Sequence, residues 1–166
     1  MSITLQITRA AELESLPVFR ELIETGCRQQ PGIDDRTCYD LKLSVDEACA
    51  NIITHGYADM DPGSIILTLQ FDPRQVVVTI TDFGHPFEPS EAPMPDVSAA
   101  LEDRPTGGFG LYFIYQTMDE VTYETTEDGN RLRLVKRLKK HALSPQSAPD
   151  RARRRRRKQG EIRNET

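Results

Sequence analysis

Two neighbouring stretches, Ser64–Phe71 (SIILTLQF) and Gln75–Asp82 (QVVVTITD), constrain the fold of this chain more than any other feature. Both are dense in β-branched and apolar residues, which suit a half-buried pleated surface. Only Asp72-Pro73-Arg74 lies between them, a composition that favours a tight turn. So short a connection joins antiparallel strands, because a parallel pair needs a long crossover. A β-hairpin is therefore the fixed point against which the other elements pack.

Those elements are read from periodicity. Ser2 to Thr8 alternates, with Ile3, Leu5 and Ile7 on one side, and predicts a strand. Ala10 to Gly26 carries Leu13, Leu16, Phe19, Leu22 and Ile23 at helical spacing. Pro17 places the start of that helix near itself, and Gly26 is the predicted stop. Asp34 or Asp35 can cap a second helix, whose apolar face runs Leu41, Val45, Ala48, Ile52 and which ends near His55-Gly56. Residues 83–106 show no clean period and read as a long irregular loop with a short helical turn near 97–101. A loop of that length in a compact domain is usually functional. Gly107-Gly108-Phe109-Gly110 then opens a helix over Leu111–Met118. Strands follow at about Glu120–Thr126 and Asn130–Leu138, joined at Asp128-Gly129. The order β, α, α, β, β, loop, α, β, β predicts an α+β class, a two-layer sandwich whose mixed or largely antiparallel sheet carries helices on one face.

Charge divides the chain in two. Residues 1–140 hold 13 Lys+Arg against 23 Asp+Glu, whereas 141–166 hold 8 against 3. The first part is the predicted folded domain and the second a disordered basic tail. An acidic body excludes a nucleic-acid platform on the domain face, so no direct nucleic-acid partner is expected there. The run Arg153–Lys158 contains no aromatic residue for base stacking and is read as a solvated tail. No apolar run approaches the roughly 20 residues that cross a bilayer. The opening MSITLQITRAAELESL lacks a basic then apolar leader pattern. Three cysteines, Cys27, Cys38 and Cys49, have no CxxC spacing and fit small packing residues in a reducing compartment. The expectation is a cytoplasmic protein without a membrane partner.

Three motifs carry chemistry. Glu47 and Asn51 stand four apart on the second helix, hence on one face, with His55 a turn further on. A carboxylate there can take a proton from a hydroxyl, and the amide oxygen can coordinate Mg²⁺. Taken alone, the pair also fits a polar solvent face. Asp82-Phe83-Gly84 ends a strongly apolar strand. Asp82 can accept from an exocyclic amine such as that of adenine, and Gly84 lets a flat ring approach the backbone; a plain strand-ending turn fits as well. Gly107-Gly108-Phe109-Gly110-Leu111 exposes N–H groups at a helix entry, where phosphate is favoured, or forms a hinge. Each motif is weak, and their conjunction in this order is much stronger.

With these residues the chain resembles the GHKL ATPase superfamily. The nearer resemblance is to the anti-sigma-factor serine kinases of the RsbW/SpoIIAB group. It rests on Asp46–Asn51, His55-Gly56-Tyr57, Asp82–Phe87 and Gly107–Leu111, with Met118–Val121 and Leu134–Arg137 also typical. It covers roughly residues 5–138. It implies a Bergerat-type sandwich with ATP and Mg²⁺ as cofactors. Glu47 would be the catalytic base and Asn51 an ATP-site residue and the Mg²⁺ ligand. Asp82 and Gly84 would meet the adenine, Gly108 and Gly110 would cradle the phosphates, Thr106, Gly107, Phe109 and Leu111 would be further ATP-binding positions, and 85–106 would form a lid. It implies protein-serine kinase activity on a STAS-domain anti-anti-sigma factor, sequestration of a sigma factor, and pairing of two copies through the sheet. The alternative is a non-catalytic, ATP-gated regulatory module. Two positions depart from the pattern. Thr106 stands where some members carry a basic residue, and Gly129-Asn130-Arg131 stands where many carry a supporting threonine.

Other readings fall away. Asp82-Phe83-Gly84 spells a eukaryotic protein-kinase motif, but the chain has no upstream glycine-rich loop and no HRD. His55 and His85 fit no recognised metal-ligand spacing. None of the three histidines, His55, His85 and His141, sits on a long dimerising helix, as a sensor histidine kinase would need.

Overall fold

A computed structural model of the chain describes residues 1–86 and 109–139. Strand β1 (Ile3–Ala10) leads through a 3-10 turn (Leu13–Ser15) into helix α1 (Leu16–Arg28) and then α2 (Asp35–Asn51). A π-helical turn (Ile52–Gly56) follows, then strands β2 (Ser64–Phe71) and β3 (Gln75–Asp82). Helix α3 (Phe109–Thr117) precedes β4 (Glu120–Thr126) and β5 (Gly129–Arg137).

Local chemistry explains the boundaries. Pro17 sits in the first turn of α1, where its missing N–H costs nothing. Asp34 caps α2 by accepting from the Thr37 N–H at 2.8 Å. Asp72 Oδ1 accepts from the N–H groups of Arg74 (2.7 Å) and Gln75 (3.0 Å), which closes the β2–β3 hairpin. Gly26 does not stop α1 as its sequence position suggests. The helix runs on to Arg28, and a Cβ at Gly26 would stand 2.6 Å from the Phe71 ring. The glycine lets α1 lie close on β2.

The strand order is β1-β2-β3-β5-β4. Every neighbouring pair is antiparallel, so the sheet is antiparallel throughout rather than mixed. The reason is the placement of β5. β3 and β4 run the same way, and β5 inserts between them and opposes both. One face of the sheet presents Ile65, Leu67 and Leu69 from β2, Val76, Val78 and Ile80 from β3, and Leu132 and Leu134 from β5, all buried. Phe19 and Ile23 of α1, Leu41 and Val45 of α2, and Ile114 of α3 complete this core. Each such side chain contributes about 1.5–3 kcal/mol by leaving water. α2 lies between α1 and α3. The outer face carries Thr68, Gln70, Thr79 and Arg133 at alternate positions, around one buried apolar pair, Val77 and Val135. Among the described residues no helix is long and apolar enough to cross a membrane.

One ion pair is built into the two layers. Lys136 of β5 reaches Asp40 of α2, Nζ to Oδ2 3.2 Å, and also donates to the Thr117 carbonyl at the end of α3. Asp40 is buried, and its Oδ1 lies 3.2 Å from Arg36 Nε. Removing one partner of a buried pair leaves the other charge uncompensated. Lys136→Met is expected to cost about 3 kcal/mol, the low end for such a loss because Arg36 remains. A urea midpoint measurement reads this. Asp40→Leu added to Lys136→Met should restore part of the loss, since an apolar pair needs no partner.

Candidate functional site

Along the rim of the sheet where β3 ends, three elements converge. The last turns of α2 supply Glu47 and Asn51, the end of β3 supplies Asp82, and the first turn of α3 supplies Gly110 and Leu111. Asn51, Ile52, Gly56, Asp82, Leu111 and Leu132 line a narrow cleft, with Asp82 as its buried carboxylate. That mostly apolar wall with a few polar groups suits a flat small molecule entering edge-on.

Glu47 and Asn51 share a helix face, as their spacing predicts, and both are half-buried. His55 does not continue that face. At Ile52 the backbone widens into the π-turn, closed by Tyr57 N–H to the Ile52 carbonyl at 3.0 Å. The extra residue in the turn shifts the phase, so Gly56 lines the cleft while His55 is exposed. Insertions of this kind recur at functional sites.

Glu47 packs on the entry to α3. A Cβ built at Gly110 would strike the Glu47 carboxylate, with its Cδ 2.9 Å away and the Glu47 Cβ at 3.2 Å. Glycine at 110 is thus required for the carboxylate to lie against the helix N-terminus. Burial pushes the Glu47 carboxyl above the ordinary glutamate range, and the charge of Asp46 adds to this. A base whose affinity for protons is raised in this way is better matched to neutral pH.

Asp82 is tied down by its neighbours. Its Oδ1 accepts from the Gly84 N–H at 3.0 Å and from Asn130 Nδ2 at 3.0 Å. Burial raises its pKa, and those two hydrogen bonds oppose the rise. The Asn130 amide also donates to the Gly84 carbonyl at 3.0 Å. Gly84 itself rests on the π-turn. Its missing Cβ would lie 2.6 Å from the Gly56 carbonyl carbon, and His85 N–H donates to the Gly56 oxygen at 2.6 Å. The demand for glycine at 84 therefore comes from backbone packing around Asp82. Tyr57 completes the frame, accepting from the Phe83 N–H at 2.9 Å and donating to the Ser64 carbonyl at 2.7 Å.

The structure thus brings together Glu47, Asn51, Asp82, Gly84, Gly110 and Leu111, and Phe109 opens α3. Thr106, Gly107, Gly108 and most of the expected lid lie outside the described residues, as does the basic tail. Sequence reasoning gave Asn130 no role beyond a departure, and Tyr57 only a place in a motif. Asn130 reads only as the start of the last strand until β5 is known to lie beside β3, where it falls opposite Asp82.

Mg²⁺ suits this donor set in one respect that the residues themselves show. Asn51 offers a hard amide oxygen at the cleft. Among the described residues no group of three or more His, Cys, Asp or Glu could hold a metal without help. An ion carried largely by phosphate oxygens, with a single protein ligand, fits such a site.

Comparison with known proteins gives a consistent result. The profile of the histidine kinase-like ATPase domain matches residues 9–136. The serine/threonine-protein kinase BtrW of Bordetella bronchiseptica is 33% identical over 100 residues, 60% of this chain and 70% of that protein. The anti-sigma F factor of Clostridium novyi is 30% identical over 101 residues, 60% of this chain and 71% of the relative. The serine-protein kinase RsbW of Bacillus cereus (strain AH820) is 29% identical over 115 residues, 67% of this chain and 71% of its own.

Proposed function

Because the chain belongs to the histidine kinase-like ATPase domain family, and within it to the RsbW type, we propose that it is an ATP-dependent protein-serine kinase and anti-sigma factor. Its antiparallel sheet with three helices on one face is the two-layer α+β sandwich of that family. The substrate in this reading is a serine of a STAS-domain anti-anti-sigma factor, and the sequestered partner is a sigma factor, both in the cytoplasm.

One observation carries the proposal: a carboxylate of raised pKa, Glu47, packs on the N-terminal turn of α3 beside a cleft that ends in the buried acceptor Asp82. The cleft takes the adenine, with its amine on Asp82 and its faces against Ile52, Leu111 and Leu132. The N–H groups at the start of α3 meet the phosphates. Glu47 then orients the incoming serine hydroxyl and takes its proton as the oxygen bonds to the γ-phosphorus, while the bond from that phosphorus to the bridging oxygen breaks and ADP leaves. Asn51 would hold the Mg²⁺, which when bound would neutralise charge on the phosphate oxygens. Positioning and electrostatics supply most of the rate in such transfers.

The test is incubation with γ-labelled ATP, Mg²⁺ and the STAS-domain proteins of the same cell. Label on a serine of one of them supports the proposal and identifies the substrate. ATP binding without label on any protein of a complete panel would instead favour the non-catalytic, ATP-gated module.

A further inference from the structure

Asp82 is held by a chain of hydrogen bonds that starts outside the cleft. Thr125 of β4 stands opposite Asn130 in the ladder and is exposed. Its hydroxyl donates to Asn130 Oδ1 at 3.3 Å. Both contacts of Asn130 Nδ2, to Asp82 Oδ1 and to the Gly84 carbonyl, are with acceptors. A flipped amide would set its oxygen against two oxygens, so those two contacts fix the orientation, and the threonine hydroxyl donates to the oxygen that results. Asn130 itself is only 2% exposed. With Oδ1 of Asp82 occupied by Asn130 and Gly84, Oδ2 is the oxygen left for a ligand.

We propose that Asn130, aligned by Thr125, is a positioning residue that keeps Asp82 a pure acceptor and thereby sets the base preference of the cleft, a 6-amino purine over a 6-oxo purine. The proposal rests on the nucleotide reading above. A 6-amino group donates to the carboxylate. A 6-oxo group brings a second acceptor to it and leaves both unsatisfied, which a buried site penalises heavily. Discrimination lasts only while Asp82 stays ionised, because a protonated carboxyl can donate to the 6-oxo group. Burial pushes Asp82 toward that state, and Asn130 is the first of the two groups opposing it. Among the described residues the neighbours with a charge or a titratable proton include Cys49 of α2, Tyr57 after the π-turn, and His85 and Tyr123 at the cleft wall. Burial pushes the Cys49 and Tyr57 groups up, so both remain neutral near pH 7. A His85→Gln background removes the third.

The experiment is equilibrium binding of ATP and ITP, which differ at the 6-position, from pH 5 to 8. The chain is compared with Asn130→Leu, Asn130→Thr and Thr125→Val, each also in the His85→Gln background. Asn130→Leu is expected to lower the ATP:ITP affinity ratio about tenfold and to move the acid limb of ATP binding up by about one pH unit. Asn130→Thr keeps a donor and should recover part of both. Thr125→Val, at an exposed position that leaves the core intact, should shift both in the same direction by less. Weakened binding of both nucleotides, with the ratio and the acid limb unmoved in every variant, would overturn the proposal and reduce Asn130 to a packing residue. Failure of the unaltered chain to bind ATP would instead overturn the nucleotide reading, and the proposal with it.

Discussion

Glu47→Gln is expected to lower phosphoryl transfer about 10³-fold while leaving ATP affinity within about twofold. The two side chains have the same shape, so the packing of position 47 on Gly110 is kept. What disappears is the ability to accept a proton. General-base catalysis supplies typically 10²- to 10⁴-fold, and the expected loss is the middle of that range. Adenine binding depends on Asp82 and the apolar wall, which the substitution does not touch. Single-turnover transfer beside equilibrium ATP binding separates the two. Equal loss in both would place Glu47 in the binding of nucleotide rather than in the transfer. The pH dependence follows with a definite sign. The active form of Glu47 is deprotonated, so transfer falls as pH drops through its pKa. Burial and Asp46 raise that pKa, so the acid limb should lie above the ordinary glutamate value of about 4.3. Asp46→Asn removes the smaller of the two causes and should move the limb down.

Gly110→Ala is expected to lower transfer about 10²-fold with little change in thermal stability. The added methyl meets the Glu47 carboxylate first, and that carboxylate can swing away. Displacing a catalytic group by about an ångström costs on this order, because the reacting atoms leave their aligned contact. The Glu47 Cβ, 3.2 Å from the new methyl, asks only a small adjustment between α2 and α3, so the fold should persist. ATP affinity should fall less than the rate. A large drop in melting temperature would contradict this, since it would mean that the helix and not the carboxylate had given way.

What could be read from sequence and what could not divides along the line between local and long-range causes. Ser64–Phe71 and Gln75–Asp82 were legible to the residue because strand period and turn chemistry are local. The Glu47–Asn51 pair was legible for the same reason, helical spacing. Gly26 was misread because its cause is tertiary, the ring of Phe71 on another element. His55 was misread because a single π-turn changed the phase of the helix, and no simple residue pattern announces that. The sheet was left open between mixed and antiparallel, since only the insertion of β5 between β3 and β4 decides it. That same insertion places Asn130 opposite Asp82, so the amide that the sequence shows only as the start of a strand proves to be part of the cleft's frame.

The most direct test of the account is a calorimetric titration of the chain with ATP·Mg²⁺, run beside Asp82→Asn. The account predicts saturable binding at one site, weakened at least about tenfold in Asp82→Asn, whose amide can turn a donor toward the adenine amine. Undiminished affinity in Asp82→Asn, with the variant folded, would contradict the assignment of this cleft as the adenine site.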